Sequence, residues 1–181
     1  MNSINFIKLY LLAWLGDVKS QSALGDMYFI GGYRMVTRYI KAMRWYLKAA
    51  NQGHMDAHDK LGYMYECGLG VHKNYTEAVR LYQLAAEQGH IDAQCSLGRM
   101  YKLGRGVAKN QYTAEAWYRK AADQGHITAK NEMEYRNKYN AYETVSPPGY
   151  NNQDEAVRWY NLAVQNNFED FLTIWSREHT K

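Results

Sequence analysis

The sequence predicts an all-α solenoid built from stacked helix-turn-helix units. A phrase recurs three times, as Leu24-Gly25-Asp26-Met27-Tyr28, Leu61-Gly62-Tyr63-Met64-Tyr65 and Leu97-Gly98-Arg99-Met100-Tyr101. Each copy leads to a helix end, at Gln52-Gly53-His54, Gln88-Gly89-His90 and Gln124-Gly125-His126. Tyr46, Tyr82 and Tyr118 lie 36 residues apart, and self-similarity at that period belongs to supersecondary units that stack on their neighbours. The 2 prolines are adjacent, Pro147 and Pro148, so the rest of the chain is open to helix.

Taken in order, residues 1–15 read as a half repeat: Tyr10 and Ala13 followed by Gly16 resemble a second helix whose partner is missing. Full repeats follow over 16–54, 55–90 and 91–126. In the second, Ala57, Leu61, Gly62 and Tyr65 share one face of the first helix, where the small residues admit a neighbouring helix. Gly68-Leu69-Gly70-Val71 ends that helix. Asn74 then caps the second helix with Glu77 as its capping-box partner, and Asn110 caps its counterpart. Ala78, Leu81, Tyr82, Ala85 and Ala86 form an amphipathic stripe, and Gly89 takes the left-handed position after it.

Residues 127–167 read as a degenerate repeat. Glu134 replaces the first-helix glycine, and Thr144-Val145-Ser146-Pro147-Pro148-Gly149 replaces the glycine turn. Tyr118 to Tyr160 is 42 residues, an insertion of six predicted as a loop. Asn152 with Glu155 and then Trp159 restore the second-helix signature, and residues 168–181, with Phe168, Phe171, Leu172 and Trp175, read as a C-terminal capping helix.

These residues resemble the Sel-1-like repeat family, relatives of the tetratricopeptide repeat, over roughly residues 16 to 167. The second and third copies carry the full Gly-x-Gly-Val turn, at Gly68 to Val71 and Gly104 to Val107, while the first departs with Gly31-Gly32-Tyr33. The resemblance implies a right-handed α/α superhelix whose first helices line a concave face, and a protein-binding role. Bacterial relatives include signalling and envelope adaptors, host-interaction factors, and immunity proteins paired with type VI toxins.

A net charge of +4 with acids and bases interspersed argues against nucleic acid as the partner. The apolar stretch from Phe6 to Leu15 is interrupted by Lys8 and is too short to span a bilayer. Cys67 and Cys95 lack the spacing of a disulfide framework or zinc site, and read as thiols of a reducing, cytoplasmic compartment. No serine elbow, zincin helix, phosphate loop or calcium loop is present, so the chain is read as non-enzymatic, without cofactor or metal. His54, His90 and His126 invite a metal ladder, but equivalent positions should lie at least roughly 8–10 Å apart, with no carboxylate shared between them. They are read as a repeated turn residue.

The partner-binding candidates lie on the first helices, two residues after each phrase leucine and about 200° round the helix from it: Asp26, Tyr63, Arg99 and Tyr135. Lys60, Glu66 and Lys102 join them on the same exposed stripe, and Tyr142 lies in a tyrosine series with Tyr135 and Tyr139. A mixed charged and aromatic stripe suits a protein-binding groove, and equally a solvated helix face. Trp45, Trp117 and Trp159 are read as inter-helix packing.

The reading is therefore a protein-interaction module, its oligomeric state left open with a monomer favoured, that holds one protein on its concave face: an immunity or inhibitor protein against a secreted toxin effector, or alternatively an adaptor. It expects Tyr63→Ala with Arg99→Glu to weaken capture without unfolding the chain, and Gly62→Leu to damage the fold.

Overall fold

The computed structural model describes residues 3–30 and 36–145, and among them all regular structure is helical. The helices are α1 (Ser3–Trp14), α2 (Val18–Ile30), α3 (Val36–Ala50), α4 (Met55–Cys67), α5 (Tyr75–Glu87), α6 (Ile91–Leu103), α7 (Gln111–Asp123) and α8 (Ile127–Val145). The chain divides into two units, Met1–Lys130 and Asn131–Lys181. In the first, α2 pairs with α3, α4 with α5 and α6 with α7, and each pair stacks on the next through α3 against α4 and α5 against α6. Helix α1 packs on α2, as α3 does on α4 and α5 on α6.

The phrase glycine exists for the tyrosine opposite. A Cβ on Gly62 would sit 2.8 Å from the Tyr82 ring, one on Gly25 2.4 Å from Tyr46, and one on Gly98 2.9 Å from Tyr118. Each ring therefore lies flat on bare helix backbone, where burial of a tyrosine body contributes most to the core. Tyr46 and Tyr82, with Leu24, Leu61, Leu97, Met64 and Met100, are the largest fully buried side chains of the described core. Trp45 and Leu81, at one repeat position, are both buried, as the packing assignment requires.

The turns are built as their residues dictate. Gly68 and Gly104 end α4 and α6 in the left-handed conformation, at φ 75° and 68°. The second turn glycine meets the previous repeat: a Cβ on Gly106 would lie 2.3 Å from the Tyr75 carbonyl oxygen, so only glycine allows that approach. Asn74 and Asn110 cap α5 and α7, accepting from the backbone N–H groups of Glu77 and Thr113 at 3.1 and 3.0 Å. The capping box expected of Glu77 is not formed: the Asn74 N–H donates to the Tyr65 carbonyl at 2.9 Å, and the Glu77 carboxylate takes Arg80 at 2.6 Å.

A polar lock joins consecutive pairs. Gln21 donates to the Ala13 carbonyl at 3.0 Å and accepts from Gln52 at 2.9 Å. Gln94 repeats this with Ala86 at 3.2 Å and Gln124 at 2.7 Å. Between them the equivalent residue is His58, which is buried and bonds the His54 carbonyl at 3.1 Å, so Gln88 turns to the Leu84 carbonyl of its own helix.

Helix α8 is 19 residues long against 13 for α4 and α6, a difference equal to the insertion. Thr144 and Val145, expected to begin a loop, continue the helix. Without the glycine that stops α4 and α6, nothing local ends the i to i+4 ladder before Pro147. The expectations for Asn152, Glu155, Trp159 and residues 168–181 lie outside the described residues.

Candidate functional site

The first-helix stripe is staggered between repeats. Tyr63 on α4 meets Phe29 on α2 edge to face, with ring centroids 6.1 Å apart. One repeat on, Arg99 on α6 reaches Glu66 on α4 with both guanidinium nitrogens, Nη2 to Oε2 at 2.8 Å and Nη1 to Oε1. Phe29 and Glu66 each lie five residues after their phrase leucine, and Tyr63 and Arg99 two residues after theirs. The same register thus supplies an aromatic contact at one junction and an ion pair at the next.

Glu66 corrects the sequence reading. It was placed on the exposed stripe, yet it is 6% exposed. Tyr82, seated on Gly62, donates its hydroxyl to Glu66 Oε2 at 2.8 Å, and Arg99 closes the other side. Burial alone pushes the Glu66 carboxyl up, but the hydrogen bonds from Arg99 and Tyr82 outweigh it and hold the group below the usual carboxylate range. Burial, with the Glu66 charge beside it, raises the Tyr82 phenol, and the bond to Glu66 raises the Arg99 guanidinium. The Arg99→Glu change expected to spare the fold would therefore set a second carboxylate against a buried one.

The other stripe residues keep an open edge. Tyr63 is 44% exposed, and the Cys67 thiol one turn on raises its phenol. The Arg99 side chain is 39% exposed behind its ion pair. Lys60 pairs with Asp59 at 3.5 Å, and Lys102 is half-buried. Asp26 is half-buried and accepts from the Tyr46 hydroxyl at 2.7 Å, as Glu66 does from Tyr82. In the second unit Tyr135 is 64% exposed. Tyr142 falls on α8, and its side chain lies outside the described residues.

The histidine ladder forms a different device. His90 Nδ1 accepts from the Ala93 N–H at 3.2 Å and His126 Nδ1 from Ala129 at 3.2 Å, so each caps the helix it precedes. The lone pair being engaged there, the proton sits on Nε2, which faces Asp56 at 3.2 Å in His90 and Asp92 at 3.4 Å in His126. The expectation that no carboxylate is shared fails at Asp56, which also lies 4.0 Å from His54 Nε2. Helix stacking brings the first turn of α4 beside the start of α6, a proximity that repeat spacing alone does not reveal. An open groove of about 430 Å³ borders these residues, lined by Met55, Ile91, Gln124 and the two capping histidines. Its histidines are already engaged as caps. Among the described residues no three His, Cys, Asp or Glu side chains are placed to hold a metal ion.

Sequence reasoning missed three participants. Phe29 was detectable from its register with Glu66. His58 and Asp59, both buried on α4, stand where the flanking repeats carry Gln21 or Gln94 and Ser22 or Cys95. Burial pushes the Asp59 carboxyl up, against the pull of His90 and Lys60.

Comparison with known proteins follows the same repeats. A family model described as Sel1 repeat matches residues 18–54, 56–90, 91–126 and 146–168. A Sel1 repeat protein from Oxalobacter formigenes is 37% identical over 72% of this chain and 97% of its own, with a TM-score of 0.63. A protective antigen of uropathogenic Escherichia coli with an SLR fold is 30% identical over 90% of this chain, with a TM-score of 0.65, and the match spans 33% of that longer protein. Helicobacter pylori cysteine-rich protein B, 23% identical over 68% of this chain and 93% of its own at a TM-score of 0.52, shares the fold. No curated protein is significantly similar to the chain.

Proposed function

This chain belongs to the Sel1 repeat family, and on that premise we propose that it captures a protein partner along the first-helix stripe, the concave face of the family's superhelix. The family's repeats generally serve protein interaction, and the described residues hold no catalytic constellation. The observation that carries the proposal is the anchoring of Tyr63 and Arg99. Each is held on its inner side, by Phe29 and by Glu66, while its outer side remains exposed. Side chains fixed before contact lose little rotamer entropy on binding, and tyrosine and arginine are the residue types that dominate protein interfaces.

The finer reading is an immunity or inhibitor protein against a secreted toxin, in a reducing, cytoplasmic compartment. Preordered anchors suit one tight partner, and Cys67 and Cys95, which form no disulfide, suit that compartment. The second reading, an adaptor in host interaction, is favoured by the likeness to the protective antigen of uropathogenic Escherichia coli.

Affinity capture of the tagged chain from its native cells, read by mass spectrometry, tests both. Tyr63→Ala with Tyr135→Ala replaces the double substitution that would disturb Glu66, and leaves Lys60 on the buried Asp59. One dominant partner, a secreted enzyme lost with the variant, supports the inhibitor reading; several housekeeping partners support the adaptor. Capture unchanged by a variant that retains its melting temperature removes the stripe from the function.

A further inference from the structure

The outer face of α1 breaks the repeat pattern. Counting back from the turn glycine, Trp14 stands where the other second helices carry Asn51, Glu87 and Asp123, and Leu15 stands where they carry Gln52, Gln88 and Gln124. Leu11 matches Lys48, Leu84 and Lys120. Trp14 and Leu15 are exposed by 70% and 74%, and Ile7, Tyr10 and Leu11 are also uncovered; Leu12, exposed as well, matches Ala49, Ala85 and Ala121, which are buried on the other second helices. The inner face is occupied, with Ala13 buried against Leu24 and Trp45, and Tyr10 meeting the Trp45 ring edge to face at 5.7 Å.

We propose that this face is a two-fold dimer interface, in which α1 of one copy packs antiparallel on α1 of a second. Ile7, Tyr10, Leu11, Trp14 and Leu15, of roughly 150–250 Å² each and exposed by 42% to 74%, leave roughly 500–600 Å² uncovered. That is at the upper end of the largest apolar patch of most monomers and is a large share of the ~800 Å² per partner of a standard protein interface. A two-fold axis lets one patch satisfy itself. Centred on Leu11, the pairing sets Ile7 at the level of Leu15 of the second copy.

A lipid surface is a poorer fit. Interfacial helices carry a strongly cationic polar face, whereas α1 has a single lysine and is followed by Asp17. Among the described residues no helix is long and apolar enough to cross a membrane. The proposal replaces the monomer favoured from the sequence, where the stretch from Phe6 to Leu15 reads as a cap.

Sedimentation velocity of the full chain, at concentrations through roughly 10 µM and above, tests it. The wild type should dimerise. Leu11→Asp and, separately, Leu15→Lys should each raise the dimer dissociation constant roughly 100-fold or more, because each change counts twice across the axis. Both positions are exposed, so the circular-dichroism spectrum should be unchanged; if Leu11→Asp perturbs it, Leu15→Lys decides. A wild type that stays monomeric at every concentration overturns the proposal, as does a dimer that persists in the folded variants. A monomer that co-sediments with phosphatidylcholine–phosphatidylglycerol vesicles also overturns it, in favour of a lipid surface.

Discussion

Arg99→Met should destabilise the protein through a residue it leaves behind. The substitution keeps the length of the side chain but strips Glu66 of the one cationic hydrogen-bond partner it has among the described residues. Glu66 would then retain the Tyr82 hydroxyl at 2.8 Å and the more distant charge of Arg105, at 6% exposure. Removing one partner of a fully buried ion pair costs about 3–5 kcal/mol, mostly as the desolvation of the charge that remains. The Arg99 side chain is itself 39% exposed, so water screens part of the pair and takes its place, and we expect about 2 kcal/mol. For a chain of this size that corresponds to a fall in Tm of roughly 4–8 °C at neutral pH, read by circular dichroism.

The pH dependence gives the sign. The folded Glu66 carboxyl titrates below its ordinary 4.5, so the stabilisation it contributes is fully present above that value and is lost as pH falls through the folded one. The deficit of Arg99→Met should therefore be full at neutral pH and shrink in acid, where a protonated Glu66 no longer needs a cation. Glu66→Gln combined with Arg99→Met should recover more than half of the single-substitution loss, because no buried charge remains. A Tm for Arg99→Met within about 1 °C of wild type would refute the assignment of Glu66 as a charge that depends on Arg99, and so would strict additivity of the two substitutions.

Three further outcomes follow from the geometry. Gly62→Ala places a methyl 2.8 Å from the Tyr82 ring and should cost about 1–3 kcal/mol, with Gly62→Leu worse; an undiminished melting temperature contradicts the ring-on-glycine packing. His58 titrates below its ordinary 6.5, chiefly through burial, with Arg80 and His54 nearby as further cations. The unfolded chain takes up that proton first, so stability falls as pH drops through 6.5, and His58→Gln should flatten the Tm profile there; parallel profiles for the two proteins discard the idea. Asn110→Ala removes the cap bond to the Thr113 N–H and should lower stability by about 1 kcal/mol, measured by urea denaturation; an unchanged midpoint contradicts the cap assignment.

Within one repeat the sequence was nearly sufficient. The 36-residue spacing of Tyr46, Tyr82 and Tyr118 assigns each residue an angle on its helix, and angle determines which side chains face the partner helix of the same pair. Gly62 under Tyr82, the caps at Asn74 and Asn110 and the left-handed glycines at Gly68 and Gly104 are all local consequences of that angle and of backbone chemistry. What meets across repeats is another matter. Whether Arg99 reaches Glu66, whether Tyr63 lands on Phe29, and whether Asp56 lies beside the His90 ring depend on the offset at which one helix pair stacks on the next. That offset is set by the summed shape of two packed surfaces, not by any single residue. Burial of Glu66 is likewise a property of its neighbours, Tyr82 and Arg99, so its place on an outward-pointing stripe was no guide to its exposure. The apolar outer side of α1 was written plainly in Leu11, Trp14 and Leu15, but only the packing of α1 on α2 decided which side of that helix stayed uncovered.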